Sequence, residues 1–186
     1  ANVSPPNTSS VRTAAMTVRT LEVLGGDTLA VGGRDGRVCL WDTRSYAAVG
    51  TFEMPSRAHV LLRLADGTLA SGHEDCLVRL WDGRSHECIG ELRGHSREVR
   101  GLTQLLDGRL ASIDRVTPTV RLWDVGARAC VGVVTAPSPW ACSVLGSGGL
   151  AVGCDGGTVV VLGFLWGRRG PAVVGWVAVR SDEWGA

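Results

Sequence analysis

Short runs in which apolar and polar positions alternate follow one another along the chain, broken repeatedly by glycine, aspartate and serine. Alternation at a period of two predicts half-buried strands, and no window carries a 3.6-residue apolar stripe bounded by helix caps. The pattern is all-β. Four strands recur in each stretch. The first is an apolar run such as VRGLTQLL (99–106), closed by a tight turn at Ala65-Asp66-Gly67-Thr68 or Leu106-Asp107-Gly108-Arg109. Asp-Gly between β-prone runs favours a hairpin because glycine accepts positive φ without steric cost. The second strand is LASG or LAVG and the third is VRLW. The fourth follows a polar loop such as Asp82-Gly83-Arg84-Ser85.

These units repeat. LAVGGRDGRVCLWD (29–42), LASGHEDCLVRLWD (69–82) and LASIDRVTPTVRLWD (110–124) share one pattern, and LAVGCDGGTVVVLG (150–163) keeps its first half. Leu29, Leu69, Leu110 and Leu150 are spaced 40, 41 and 40 apart, and Trp41, Trp81 and Trp123 follow at 40 and 42. Leu21, Leu61, Leu102 and Cys142 also correspond. The expected organisation is an N-terminal tail (1–15), with Ser9–Thr13 as a candidate closing strand, and four units over about 16–54, 55–95, 96–137 and 138–179. A C-terminal tail (180–186) follows.

A four-stranded unit of this length ending in Trp41-Asp42, Trp81-Asp82 or Trp123-Asp124, with Gly94-His95 before the third copy, resembles the WD-repeat β-propeller family. The resemblance covers about residues 16–179. It implies blades of four-stranded antiparallel sheet, about four here, in a partial or small propeller. Propellers of that family usually have seven blades, so four at the same angle sweep about 206° of the circle. The resemblance also gives His95, Ser112, Asp114 and Trp123 a structural role as a buried hydrogen-bond chain. The corresponding positions elsewhere are Ala14, Met54 and Thr135 for the histidine, and Val31, Ser71 and Val152 for the serine. Those other units are therefore expected to rely on apolar packing.

Composition narrows the function. The chain has 186 residues with 19 basic and 18 acidic groups, a formal charge of +1, so no bulk field advertises nucleic acid or membrane. All 19 basic residues are arginine, which excludes Schiff-base and P-loop lysines. The first fifteen residues have no apolar core for a secretory signal, and TVVVLGFLW (158–166) is too short to span a bilayer. Cys39, Cys76, Cys88, Cys130, Cys142 and Cys154 are spread through alternating segments, which predicts reduced and mostly buried thiols in a cytoplasmic or nuclear protein.

Three constellations suggest chemistry. His95, Ser112 and Asp114 are the residue types of a hydrolase triad, but no nucleophile elbow or oxyanion hole accompanies them. His73, Cys76, His86 and Cys88 are metal-ligating types, yet the repeat register puts the two pairs at opposite ends of one strand. No catalytic residue, metal or cofactor is therefore assigned. Arg34, Glu74, Arg97, Glu98 and Arg115 fall in loops that the family places at the channel mouth, and their mixed signs suit a protein or peptide partner. The expectation is a non-catalytic interaction platform without nucleic-acid or membrane binding, with self-association or a second propeller segment completing the ring. A ubiquitin-ligase substrate receptor, suggested by CIGELRGH (88–95), and a fragment of a longer seven-bladed protein are the alternatives. Trp140, Trp166, Trp176 and Trp184 lie outside the repeated Trp position.

Overall fold

Tight turns fold each alternating run back on the previous one, so strands pair antiparallel in chain order within each of four separate sheets. The computed structural model describes residues 17–114, 116–167 and 170–180. The first sheet holds β1 (Val18–Gly25), β2 (Thr28–Gly33), β3 (Arg37–Asp42) and β4 (Ala47–Glu53). The second holds β5 (Ala58–Arg63), β6 (Leu69–His73), β7 (Val78–Trp81) and β8 (Cys88–Leu92). The third holds β9 (Val99–Gln104), β10 (Leu110–Asp114), β11 (Thr119–Asp124) and β12 (Ala129–Thr135). The fourth holds β13 (Pro139–Val144), β14 (Leu150–Cys154), β15 (Thr158–Gly167) and β16 (Gly170–Arg180). These four sheets are the blades.

Two kinds of turn carry the repeat. At the first, Gly67 has φ +91°, its N–H donates to Leu64 O at 2.9 Å, and Leu64 N–H donates to Thr68 O at 2.8 Å. Leu105, Gly108 and Arg109 repeat that bonding. At the second, the aspartate after the tryptophan ties the loop. Asp42 Oδ1 accepts from Arg44 N and Ser45 N at 3.0 and 2.6 Å, and Asp82 Oδ1 accepts from Arg84 N and Ser85 N at 2.9 and 2.8 Å. Asp124 Oδ1 accepts from Ala127 N at 2.8 Å. A short carboxylate closing its own turn explains the recurring Asp.

Packing between blades forms the core. Leu40, Val38 and Ala30 of the first blade meet Leu61, Leu69 and Trp81 of the second. Leu80, Val78 and Ala70 meet Leu102, Leu110 and Trp123 of the third. Leu122, Val120 and Ala111 meet Leu150, Val152 and Leu162 of the fourth. The same face is used each time. At the first blade that face is uncovered: Leu21 is 57% exposed, whereas its counterparts Leu61 and Leu102 are 3% and 7% exposed. At the other end, Ala151 and Val161 are only half-buried, where Ala111 and Leu122 are sealed. Among the described residues, no buried cluster joins the fourth blade to the first.

One expectation needs correction. No disulfide joins the six thiols, but only Cys39 is buried; Cys88 and Cys130 are exposed because they lie on outer strands β8 and β12. The fourth blade has its own outer strand, β16, paired along β15. Ser9–Thr13 themselves lie outside the described residues, as do residues 181–186.

A cross-strand size exchange tunes the packing between the first two strands of each blade. Thr20 pairs with Gly32, Val60 with Gly72, and Ala141 with Gly153. The third blade reverses the order, pairing Gly101 with Ile113. A Cβ added to Gly101 would lie 2.7 Å from Ile113 Cγ1, and one added to Gly72 would lie 2.7 Å from Val60 Cγ1. Each of these two pairs holds one large side chain. Gly101→Val is expected to lose about 1–3 kcal/mol by overpacking. Adding Ile113→Gly should recover most of that loss, giving a strongly non-additive cycle in urea titrations. Additive losses would show that the two positions do not share one space.

Candidate functional site

The third blade holds a continuous buried hydrogen-bond chain. Trp123 Nε1–H donates to Ser112 Oγ at 2.7 Å. Ser112 Oγ lies 2.6 Å from His95 Nε2, and His95 Nδ1 lies 3.0 Å from Asp114 Oδ2. With the tryptophan donating to it, the serine hydroxyl donates onward to Nε2, so the proton of the neutral imidazole sits on Nδ1 and bonds to Asp114. Burial is the largest influence on His95 and holds it below its usual range, although Asp114 opposes the shift. Burial also pushes Asp114 upward, but bonds from the Thr117 hydroxyl and N–H, from His95 and from Val116 N–H outweigh it. Asp114 therefore stays ionised and below its ordinary range.

These three residues have the connectivity of a hydrolase triad, but Ser112 and Asp114 have no exposed surface and His95 is 8% exposed. The serine is sealed at the junction of the second and third blades, where Gly94 passes Trp123 and Arg121. A substrate has no path to its oxygen. The chain instead satisfies polar groups that burial would otherwise strand.

The second blade rebuilds this chain from a different histidine. Trp81 Nε1–H donates to Ser71 Oγ at 2.7 Å, and that oxygen lies 2.6 Å from His73 Nε2. His73 Nδ1 lies 2.9 Å from Ser56 O. His73 comes from the end of β6, where the third blade has Asp114, and Met54 fills the expected histidine position with a buried thioether. The expectation that this blade had lost its chain is thus corrected. Read position by position, the sequence hides the exchange, because imidazole reaches the same point from another strand. Asp75 binds Arg79 at 2.7 and 3.1 Å, with Glu91 accepting from Arg79 Nε at 3.2 Å.

His73 is thereby committed, while His86 stacks on Phe52 at 4.9 Å in the loop that follows β7. Cys76 precedes that strand and Cys88 follows it, so the four metal-ligating types do not converge. Among the described residues, no group of three or more His, Cys, Asp or Glu side chains has metal-site geometry.

The predicted contact residues project from the turns between second and third strands and from the loop leading into β9. Arg34, Glu74 and Arg97 are exposed, and Glu98 is half-buried. Arg115 lies outside the described residues. Glu74 pairs with Arg57 at 3.3 Å, and Glu98 with Arg100 at 2.7 Å and His59 at 3.2 Å. Arg57, His59 and Arg100 were therefore missed by sequence reasoning centred on turns. Their signal was register: His59 and Arg100 stand two places before Leu61 and Leu102.

The buried histidines make stability depend on pH. His73 has an ordinary value of 6.5 and is pushed down to about 4, chiefly by burial. Above 6.5 neither state holds the proton, and the contribution of the buried imidazole is complete. Between 6.5 and about 4 the unfolded chain binds a proton that the folded chain refuses, so stability falls. The expected loss from His73 between pH 7.5 and 4.5 is about 2–3 kcal/mol. His95 acts in the same direction. Urea midpoints of the parent chain and His73→Gln at both pH values check this; an equal pH dependence in the two proteins would refute it.

The comparisons agree with this architecture. The family profile described as WD domain, G-beta repeat, matches residues 18–42, and no curated protein matches the chain. The crystal structure of the RRP9 WD40 repeats superposes with a TM-score of 0.76 at 18% identity, over 92% of this chain and 53% of that one. The U3-55K structure gives 0.76 at 18%, over 91% and 53%. The WD40 β-propeller domain of Doa1 gives 0.71 at 22%, over 78% and 50%. The chain thus spans about half the length of these solved chains. With Trp81 and Trp123 bonded to blade serines and the aspartate after each tryptophan closing a turn, the chain is built of WD-type repeats and has the WD40 β-propeller fold.

Proposed function

We propose that this protein is an interaction platform that holds protein or peptide partners through the turn-and-loop end bearing Arg34, Glu74, Arg97, Glu98 and Arg115. WD40 propellers generally mediate protein–protein contacts. The observation that carries the reading here is the separation of polar chemistry within the blades. The Ser–His chains are sealed between sheets, whereas charges of both signs lie outside the core at the loop end bearing Arg34, Arg57, Glu74 and Arg97. Charges of both signs favour a matched protein surface over a phosphate backbone. A substrate receptor of a ubiquitin ligase is a more specific form of this reading, supported only by the CIGELRGH ending at 88–95.

The uncovered first blade supports a second, structural reading. Val18, Leu21 and Val23 are 52%, 57% and 63% exposed. This inner-strand surface belongs to the end where, among the described residues, no blade packs on Trp41, while the same face is buried at three interfaces elsewhere. A further blade of the same kind is the occupant that continuity with those interfaces supports. It would come from more of the same chain or from a second copy.

Quantitative affinity capture tests the platform. Reversing Arg34, Glu74, Arg97 and Glu98 together should reduce partner recovery at least tenfold while leaving the thermal transition in place; full recovery would move the contact surface elsewhere. Sedimentation equilibrium tests the open face. A mass above 19.6 kDa that returns to that value in Leu21→Glu is the expected sign of a second copy. A monomer in both proteins would rule out self-association.

A further inference from the structure

Two exposed thiols occupy the same place on the outer strands of neighbouring blades. Cys88 pairs across the sheet with Trp81, and Cys130 with Trp123. Each thiol donates to the carbonyl two residues on, Gly90 O at 3.6 Å and Gly132 O at 3.4 Å. The blade arginine beside them differs. In the second blade Arg79 is held by Asp75 and Glu91, and Glu91 is shared with Arg93. The matching arginine of the third blade is Arg121, but Thr117 stands where Asp75 does, six places before the tryptophan. Its cross-strand partner is Val133, where Arg79 has Glu91. Among the described residues Arg121 makes no ion pair. Its Nη1 donates to Cys130 Sγ at 3.7 Å, and its Nε is buried without a hydrogen-bond partner.

A second guanidinium borders this thiol. Arg128 lies two residues before Cys130, is exposed, and makes no ion pair among the described residues. Both arginines cross to the outer edge of the second blade, where glycines leave them room. A Cβ on Gly94 would lie 2.9 Å from Arg121 Nη1, and one on Gly90 would lie 2.7 Å from Arg128 Nε. Four residues separate these glycines, up to about 13 Å of extended chain. The seam thus places a thiol beside two cations that lack counter-charges. An enclosed guanidinium without an anion is unfavourable, and a carboxylate is the group its fork fits best.

We propose that Cys130 is a modification site that forms a mixed disulfide with glutathione, a small tripeptide thiol with a carboxylate at each end. An extended tripeptide spans about 10 Å, so with its sulfur on Cys130 its two carboxylates reach towards Arg121 and Arg128. The Cys130 thiolate, its proton given to solvent, attacks one sulfur of oxidised glutathione. The new bond to Sγ forms as the S–S bond of oxidised glutathione breaks, and the other half leaves as a thiolate that takes up a proton. Cys130 is oxidised and one glutathione is reduced. Cys88 is the internal contrast. Its arginine is neutralised by two carboxylates, and His86, at the loop position of Arg128, stacks on Phe52.

Incubation of the full chain with oxidised glutathione, followed by peptide mass spectrometry, tests the site. Cys130 should carry mixed disulfide at least about fivefold faster than Cys88. Cystamine, a disulfide with an ammonium at each end, should reverse or abolish that preference. Arg121→Gln and Arg128→Gln should each slow the glutathione reaction at Cys130 about threefold or more and leave Cys88 unchanged, with thermal melts reporting that each variant is folded. Equal rates at Cys88 and Cys130 in the parent chain would overturn the proposal, because exposure alone would then explain both. A Cys130 preference kept with cystamine, or kept in both folded arginine variants, would overturn it as well.

Discussion

A four-stranded sheet with apolar residues on both faces cannot be stable in water alone, and every other feature of this chain follows from the need to sandwich such sheets. Alanine, valine and leucine from one blade meet leucine and tryptophan from the next at two interfaces, and leucine and valine at the third. The indole is large enough to fill the gap but carries an N–H that cannot be left dry. Ser71 and Ser112 accept that proton, and a histidine then accepts from each serine. The polar chains are therefore a consequence of using tryptophan as the filler between blades, and their sealing removes them from any chemistry with a substrate.

The same packing constraint is met by different residues in different blades. The second blade reaches its serine with His73 from a strand end, the third with His95 from the preceding loop. The third blade puts its bulk on Ile113 and its space on Gly101, and its neighbours do the reverse. In both cases the volume or hydrogen bond is kept while the chain position changes. Such exchanges are invisible when copies are compared column by column, because each column then shows only a loss.

Exposed polar side chains sit where packing stops. The blade ends must carry turns, and the turns must be polar. The exposed charges of Arg34, Glu74 and Arg97 lie at such an end. At the open face of the first blade, burial is incomplete, so apolar side chains there remain available for another blade.

The sequence by itself determined the strands, the four-fold repeat and the tryptophan positions, because period-two alternation and the spacing of Asp-Gly turns are local properties. It also supplied the parts of the third-blade chain, since Gly94-His95, Ser112, Asp114 and Trp123 follow the family pattern directly. Only the tertiary structure decided that His73 completes the second blade, because that depends on which side chain reaches Ser71 in space. Thiol exposure was likewise settled by outer-strand placement, which an apolar alternating segment does not reveal. The seam around Cys130 left only two exchanges in the sequence, Thr117 for Asp75 and Val133 for Glu91. That Arg121 then turns to the thiol depends on two paired strands and a glycine of the next blade, and one strand read alone does not contain it.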